Sequence, residues 1–181
     1  VSAKPAALKY ADGGSYTGTL KDGKRHGKGT MVWANGDRYV GQWRAGKMHG
    51  IGTFTIKRGG SYNGDWVDDR MAGKGERVFR DGSVYSGEMK ADQPHGKGIK
   101  RWRDGRTWAG RFIAGVQSRA SGDSCVATWK NGNHYTGGWS RQGPHGKGVW
   151  SWKDGSRYDG SWVNGRRSGQ GSFTWSNGTR Y

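Results

Sequence analysis

The fold is decided by a repeated stretch, which reads Tyr39-Val-Gly41-Gln-Trp43-Arg-Ala-Gly46-Lys-Met-His49-Gly50-Ile-Gly52-Thr-Phe54 in its clearest copy. Its opening Tyr-x-Gly triplet returns every 23 residues, except for one step of 27 residues. A fixed period of this size is typical of repeat proteins, so each copy is read as one structural unit. A half repeat over residues 1–15 precedes units that begin at Tyr16, Tyr39, Tyr62, Tyr85, Trp108, Tyr135 and Tyr158.

Matched positions within each unit show the alternation of a β-strand. A glycine stands two residues after the opening aromatic and a large apolar residue four after it, as in Gly41 and Trp43. Even offsets place side chains on one face of a strand. Turn pairs such as Asp22-Gly23 and Asn35-Gly36 lie between these strands, and they are strong hairpin signals.

We therefore predict an all-β fold, an elongated single-layer antiparallel sheet of tandem 23-residue β-hairpin repeats, twisted and solenoid-like. The glycine beside each opening aromatic would leave room for the ring to lie over the backbone. The rings of neighbouring repeats would then stack as a ladder, so that the core is one-dimensional.

The fifth unit departs from the pattern within residues 113–125, where it loses the His-Gly-x-Gly motif and carries four extra residues. We predict a looser loop or a bulge with its own partner there.

The chain is interpreted as a single repeat domain over residues 1–181. Because it starts without Met and stops at Tyr181, which opens another unit, we expect a fragment of a longer chain, and its open sheet edges favour a homodimer.

The composition excludes several protein classes. Leu, Ile, Val and Phe total 20 of 181 residues beside a net charge of +17, which would indicate disorder, but 11 Trp and 8 Tyr argue for a packed chain. No apolar run approaches the ~20 residues of a transmembrane helix. The single cysteine, Cys125, excludes an internal disulfide and agrees with a cytoplasmic location.

Catalysis and metal binding are not predicted. His26, His49, His95 and His145 occupy one repeat position, which places them ~10 Å or more apart, too far to share one metal ion. They are interpreted as turn caps, and no nucleophile elbow or phosphate loop accompanies them. We expect no cofactor and no enzyme within this chain, and Cys125 is interpreted as a buried or bystander thiol.

Two candidate binding surfaces remain. The excess of 31 Lys and Arg over 14 Asp and Glu predicts an anionic partner, although lysines can also serve solubility alone. The candidate residues for binding this anionic partner are Lys21, Lys24, Arg25, Lys28, Lys74, Lys97, Lys100, Arg101, Arg103, Arg106 and Lys147.

The aromatic face is the second surface, where a partner helix or peptide could lie, although the rings can also serve mainly as core. This aromatic groove comprises Tyr16, Tyr39, Trp43, Tyr62, Trp66, Tyr85, Trp108, Tyr135, Trp139, Tyr158 and Trp162.

The quoted stretch resembles the repeat of the MORN (membrane occupation and recognition nexus) family, in phase along nearly the whole chain. The resemblance implies a twisted single-layer sheet with an aromatic groove, often dimeric. It favours a non-catalytic scaffold or targeting module that binds an anionic membrane surface or a cytoskeletal assembly. The alternatives are a protein-interaction module that clamps a partner segment in the groove, and an accessory domain of an enzyme such as a lipid kinase. The expected partners are another protein or anionic phospholipid, while the absence of a known RNA-binding signature disfavours nucleic acid.

Overall fold

The computed structural model describes residues 4–118 and 123–181, and within these ranges every regular element is a β-strand. The chain forms two compact units, one up to Pro94 and the other from His95. The first unit holds β1 (Lys4–Lys9), β2 (Ser15–Lys21), β3 (Lys24–Val32), β4 (Arg38–Arg44), β5 (Lys47–Thr55), β6 (Ser61–Val67), β7 (Arg70–Val78) and β8 (Val84–Lys90). The second holds β9 (Gln93–Arg101, which begins two residues before the boundary), β10 (Thr107–Ile113), β11 (Val116–Gln117), β12 (Ser124–Thr128), β13 (His134–Ser140), β14 (Gly143–Ser151), β15 (Arg157–Val163) and β16 (Arg166–Thr174). The predicted all-β class is confirmed.

Each unit is an antiparallel meander. In the first unit, every strand from β1 to β8 pairs with its neighbours in sequence. In the second unit, β10 pairs with β9, β11 and β12, and β12 to β16 continue in order. The second strand of the fifth repeat is thus divided into β11 and β12. The loop or bulge predicted for residues 113–125 falls partly on residues 119–122, which lie outside the described residues.

The two strands of most repeats are joined by a two-residue turn with left-handed backbone, and the exception is the turn at Arg141 and Gln142, where neither residue has a positive φ. The φ angles are 50° and 71° at Asp22 and Gly23, and 50° and 88° at Ala45 and Gly46. Positive φ at both central residues defines the type I′ turn, whose twist matches that of paired strands. Asp22-Gly23 is therefore the turn that its sequence predicts, whereas Ala45 adopts the same conformation with a Cβ atom that disfavours it.

Replacing Ala45 by glycine should raise the free energy of unfolding by about 0.5–1 kcal/mol, because the left-handed conformation costs an L-residue about 1–2 kcal/mol and glycine loses only part of this in chain entropy. The midpoint of urea unfolding measures the change. Ala34→Gly is the matched control, since Ala34 lies in a turn without positive φ, and it should not stabilise the protein. A stabilisation by Ala34→Gly equal to that of Ala45→Gly would contradict the explanation.

The turns between repeats are one residue longer. Trp33 N–H donates to Asp37 O at 2.9 Å, Gly36 N–H donates to Trp33 O at 2.8 Å, and Gly36 has a φ of 84°. This is a three-residue loop that ends in a left-handed glycine. The same pair of hydrogen bonds recurs at Ile56, Trp102, Trp129 and Trp152, so it places one large apolar residue at the start of each of these turns.

A bulge interrupts the pairing within five of the hairpins, which are β2–β3, β4–β5, β6–β7, β13–β14 and β15–β16. The register between β4 and β5 shifts between Gly41 and Trp43, and Gly50 in the bulge has a φ of 64°. The extra residues leave the N–H of Ile51 without a strand partner, and the Gln42 side-chain oxygen accepts it at 3.2 Å. In the following repeat the Asp65 carboxylate accepts the N–H of Lys74 at 2.8 Å in the same way. The glycine after each histidine therefore serves the bulge and has no role under an aromatic ring.

Candidate functional site

The opening tyrosines form the centre of the core. Tyr16, Tyr39, Tyr85 and Tyr135 have no exposed surface. The ring of Tyr39 lies flat over Gly41 and its cross-strand partner Gly52, since a Cβ atom at Gly41 would come within 2.6 Å of Tyr39 Cζ. The prediction that these glycines make room for the rings is confirmed.

The tyrosine hydroxyls are satisfied by backbone oxygens. Tyr39 Oη donates to Gln42 O at 3.0 Å, and Tyr135 Oη donates to Gly138 O at 2.8 Å. Burial is the main cause that raises the pKa of Tyr39, Tyr62 and Tyr135 to about 12. These phenols therefore remain neutral hydrogen-bond donors at physiological pH, and they act as structural groups.

Tryptophans join several repeats to the one before. The indole N–H of Trp66 donates to Gly52 O at 3.0 Å, and that of Trp162 donates to Gly148 O at 3.0 Å. The Trp66 ring also meets Tyr39 and Tyr62 edge to face, with centroids 5.4 and 5.2 Å apart. Such contacts tie neighbouring repeats together, as the predicted ladder requires.

The residues expected to line an aromatic groove lie mostly inside this ladder. Of the eleven, Trp139 alone is half-buried, and the others are buried with at most 7% of their surface exposed. They hold the sheet together and offer little surface to a partner. The aromatic surface that a partner can reach comes from other positions of the repeat.

In the second unit these positions form a continuous row of rings, Trp129, Trp150, Trp152, Phe173 and Trp175, which we name the aromatic row. Successive centroids are 4.5, 6.1, 5.3 and 4.8 Å apart. Four of the rings are half-buried and Trp175 is 43% exposed. The turn-opening tryptophans signalled part of this row in the sequence, but the three-residue turns that expose them could not be read from it.

The predicted basic residues do not gather in one place. Lys28 faces Gln42 across β3 and β4, Lys74 faces Glu88 and Lys147 faces Ser161. Lys97 faces Arg111, Lys21 faces Lys24, and Arg101 faces Thr107.

The other predicted basic residues lie near aromatic rings or in a turn. The Arg25 guanidinium is 4.3 Å from the centre of the Trp43 ring, and Lys100 and Arg106 lie 5.6 and 5.4 Å from the centre of the Trp102 ring. Arg103 is exposed in the turn that Trp102 opens, and Arg106 forms an ion pair with Asp104 at 2.7 Å.

Only Arg103 of a second set of basic residues, which occupy one repeat position, was predicted from the sequence. The residue after each turn-opening position is an exposed cation in five successive repeats, and these residues are Lys57, Arg80, Arg103, Lys130 and Lys153. The periodicity was present in the sequence, but exposure of this position depends on the turn geometry. The second unit carries 15 Lys and Arg against 4 Asp and Glu, a net charge of +11.

Cys125 lies in the core of the second unit, with 3% of its surface exposed, beside the indole of Trp108. Burial raises the pKa of its thiol from 9.0 to about 11. Since the thiolate is the nucleophile, the native protein at pH 8 should react with iodoacetamide about a hundredfold more slowly than the urea-unfolded chain. Mass spectrometry of timed samples measures both rates, and similar rates would contradict a buried thiol.

Over residues 4–118 and 123–181 no group of three or more His, Cys, Asp or Glu side chains is placed to hold a metal ion. The same part of the chain contains no helix that is long and apolar enough to cross a membrane. His49 and His145 lie in bulges, and His26 borders one, where its backbone oxygen accepts a hydrogen bond from the Thr19 hydroxyl.

Comparison with known proteins agrees with this geometry. The model of the MORN repeat matches residues 16–38, 39–61, 62–84, 85–105, 135–157 and 158–180. No curated protein matches the sequence. Among solved structures, the fold is similar to the TCP domain of Drosophila melanogaster SAS-4 in complex with a proline-rich motif of Ana2, with a TM-score of 0.53 and 12% identity over 98% of this chain and 88% of that one. The TCP10 domain of Danio rerio CPAP is also similar, with a TM-score of 0.50 and 10% identity over 97% of this chain and 81% of that one. At these low sequence identities, the TM-scores indicate a similarity of fold alone.

Proposed function

Because the chain belongs to the MORN repeat family, we propose that it is a non-catalytic protein-interaction module that holds an extended partner segment on the aromatic row of its second unit. The observation that carries this proposal is the row itself. Five rings lie in sequence on one surface, and none of them is fully buried.

The chemistry of the row favours an extended segment rich in proline. Flat aromatic rings form the grooves in which proline-rich segments bind, because the polyproline II conformation is already ordered and loses little entropy on binding. The similar fold of Drosophila SAS-4 was solved with a proline-rich motif of Ana2. This makes proline-rich peptides the first probes for the present chain.

The test uses the full chain and a display library of proline-rich peptides, with the affinity of selected peptides measured by calorimetry. Trp152→Ala should weaken binding at least about tenfold, as expected when a central aromatic anchor is removed from an interface. Trp33→Ala is the matched control, since Trp33 occupies the same repeat position in the first unit, and it should leave the affinity unchanged. Failure to select any peptide, or an equal loss in both variants, would contradict the proposal.

An anionic surface is a second candidate partner, favoured by the +11 net charge of the second unit. Individually weak Lys and Arg contacts would add up on a membrane that carries acidic lipids. The protein should then sediment with phosphatidylserine vesicles, and binding should fall as salt is raised. Replacing Lys130 and Lys153 by glutamate should abolish sedimentation and leave peptide binding intact. Equal sedimentation with neutral phosphatidylcholine vesicles would contradict this candidate.

A further inference from the structure

We propose that the first unit carries a binding site for a phosphate monoester. The site is a depression of about 250 Å³ lined by His26, Lys28, Gln42, Arg44 and His49, together with Gly27 and Trp43. It lies at a different place from the aromatic row, and it requires neither a peptide partner nor an anionic membrane.

The bulges bring these side chains together. Lys28 lies directly opposite Gln42 across β3 and β4, and Arg44 follows two residues after Gln42 on the same face. His26 is two residues before Lys28, on the other side of the left-handed Gly27. The second bulge, in β5, brings His49 beside β4. Three successive strands thus contribute to one depression.

The charges in and around the depression are unbalanced. Lys28 and Arg44 line it, and at the adjacent hairpin ends Lys21 faces Lys24 and Arg44 faces Lys47. Like charges directly opposite each other destabilise a strand pair. A bound dianion would offset this repulsion.

The Asp68 carboxylate contacts this cluster. Asp68 Oδ1 is 3.6 Å from an Arg44 guanidinium nitrogen and 3.5 Å from His49 Nδ1. Both distances are long and the carboxylate is half exposed, so this ion pair is weak. The contact shows that Arg44 and His49 can face one oxyanion, and it makes Asp68 a competitor that a more strongly charged ligand displaces.

The repeat itself shows that the fold does not require this set of side chains. One repeat later the positions of Lys28 and Arg44 are taken by Ile51 and Val67. The positions of Gln42 and His49 are taken there by Asp65 and Ala72. Both hairpins form with closely similar pairing. Since an aliphatic and acidic set serves the sheet equally well, the basic set is free to serve a ligand.

The donors suit a phosphate monoester better than a carboxylate. The planar guanidinium of Arg44 can donate two parallel hydrogen bonds to phosphate oxygens, and the Lys28 ammonium adds a compact positive charge. A monoester carries nearly two negative charges at neutral pH and has three oxygens free to accept hydrogen bonds. The same group occurs on soluble metabolites and on phosphorylated lipid headgroups.

The experiment compares the full chain with Lys28→Ile/Arg44→Val, which installs the side chains of the next repeat and should therefore fold. Calorimetry with glycerol 3-phosphate should show saturable binding that the double variant weakens at least about tenfold. Asp68→Asn should tighten binding about threefold, because it removes the competing carboxylate. Lys74→Ile, the same repeat position outside the depression, is the charge control and should bind like the unchanged chain.

A second arm separates the two sources of the phosphate. Vesicles of phosphatidylcholine with phosphatidylinositol 4-phosphate are compared with phosphatidylserine vesicles of equal surface charge. Preference for the former assigns the site to a lipid headgroup, while binding of glycerol 3-phosphate without this preference assigns it to a soluble ester. The proposal is overturned if neither probe binds, or if Lys74→Ile loses as much affinity as the double variant. Trp152→Ala should leave phosphate binding unchanged, so this result is independent of the peptide proposal.

Discussion

Replacing Gly52 by alanine is expected to lower the free energy of unfolding by about 4 kcal/mol. A Cβ atom at this position would lie 2.5 Å from Tyr39 Cε2, and the ring cannot move sideways because Trp43 and Trp66 meet it edge to face. Displacing the ring would open a cavity and break the hydrogen bond from Tyr39 Oη to Gln42 O. Urea unfolding followed by circular dichroism measures the effect.

Gly46→Ala provides the control for the Gly52 variant. Gly46 has a φ of 88° and nothing within 4 Å of the added Cβ, so only backbone strain of about 1–2 kcal/mol is expected. The comparison separates the loss of ring packing from the general cost of losing a glycine. Equal losses in the two variants would show that the space under Tyr39 is not what requires Gly52.

Trp66→Ala should lower the free energy of unfolding by about 4 kcal/mol as well, because large aromatic residues in a core cost about 3–5 kcal/mol when truncated. The Trp66 indole is 5% exposed, donates to Gly52 O at 3.0 Å, and contacts Tyr39, Tyr62 and Phe54. The variant therefore loses packing with two repeats at once. Thermal and urea unfolding should both detect it.

Trp175→Ala is the matched comparison for Trp66→Ala. Trp175 is 43% exposed and its nearest ring neighbour is Phe173, with centroids 4.8 Å apart. Its truncation should cost about 1 kcal/mol or less. A loss as large as that of Trp66→Ala would mean that the aromatic row belongs to the core, and this would weaken the proposed peptide surface.

The 23-residue period and the even spacing of matched positions within each repeat were enough to predict the aromatic ladder. Tyr39, Gly41 and Trp43 share a face because their offsets are even, and a ring beside a glycine has few other places to lie. The hairpin turn at Asp22-Gly23 followed from the same reading, because few residue pairs accept two left-handed backbone conformations. These features depend on local sequence alone.

The candidate sites were harder to predict, because they depend on the bulge and the turn lengths. Assigning alternate residues to opposite faces assumes a regular strand. It could not show that Gly50 adopts a left-handed conformation or that the Gln42 side chain accepts a hydrogen bond from the Ile51 N–H. The histidine column was interpreted as a set of turn caps for the same reason. The depression that holds His26 and His49 arises only once two bulges lie side by side.

The spacing of contacts also bears on how such a chain can change its length during evolution. Trp43, Trp66 and Trp162 each donate to the backbone oxygen 14 residues earlier, so these three copies use the same contact with the copy before them. Gene duplication or deletion of a whole 23-residue segment among such copies would therefore preserve this contact. A change of 22 residues would instead leave one extra residue in the strand at the junction, which has to form a bulge or turn the side chains of that strand to the opposite side of the sheet. In-frame recombination between copies is thus a mutation that this architecture tolerates, and number of repeats is a trait on which selection can act.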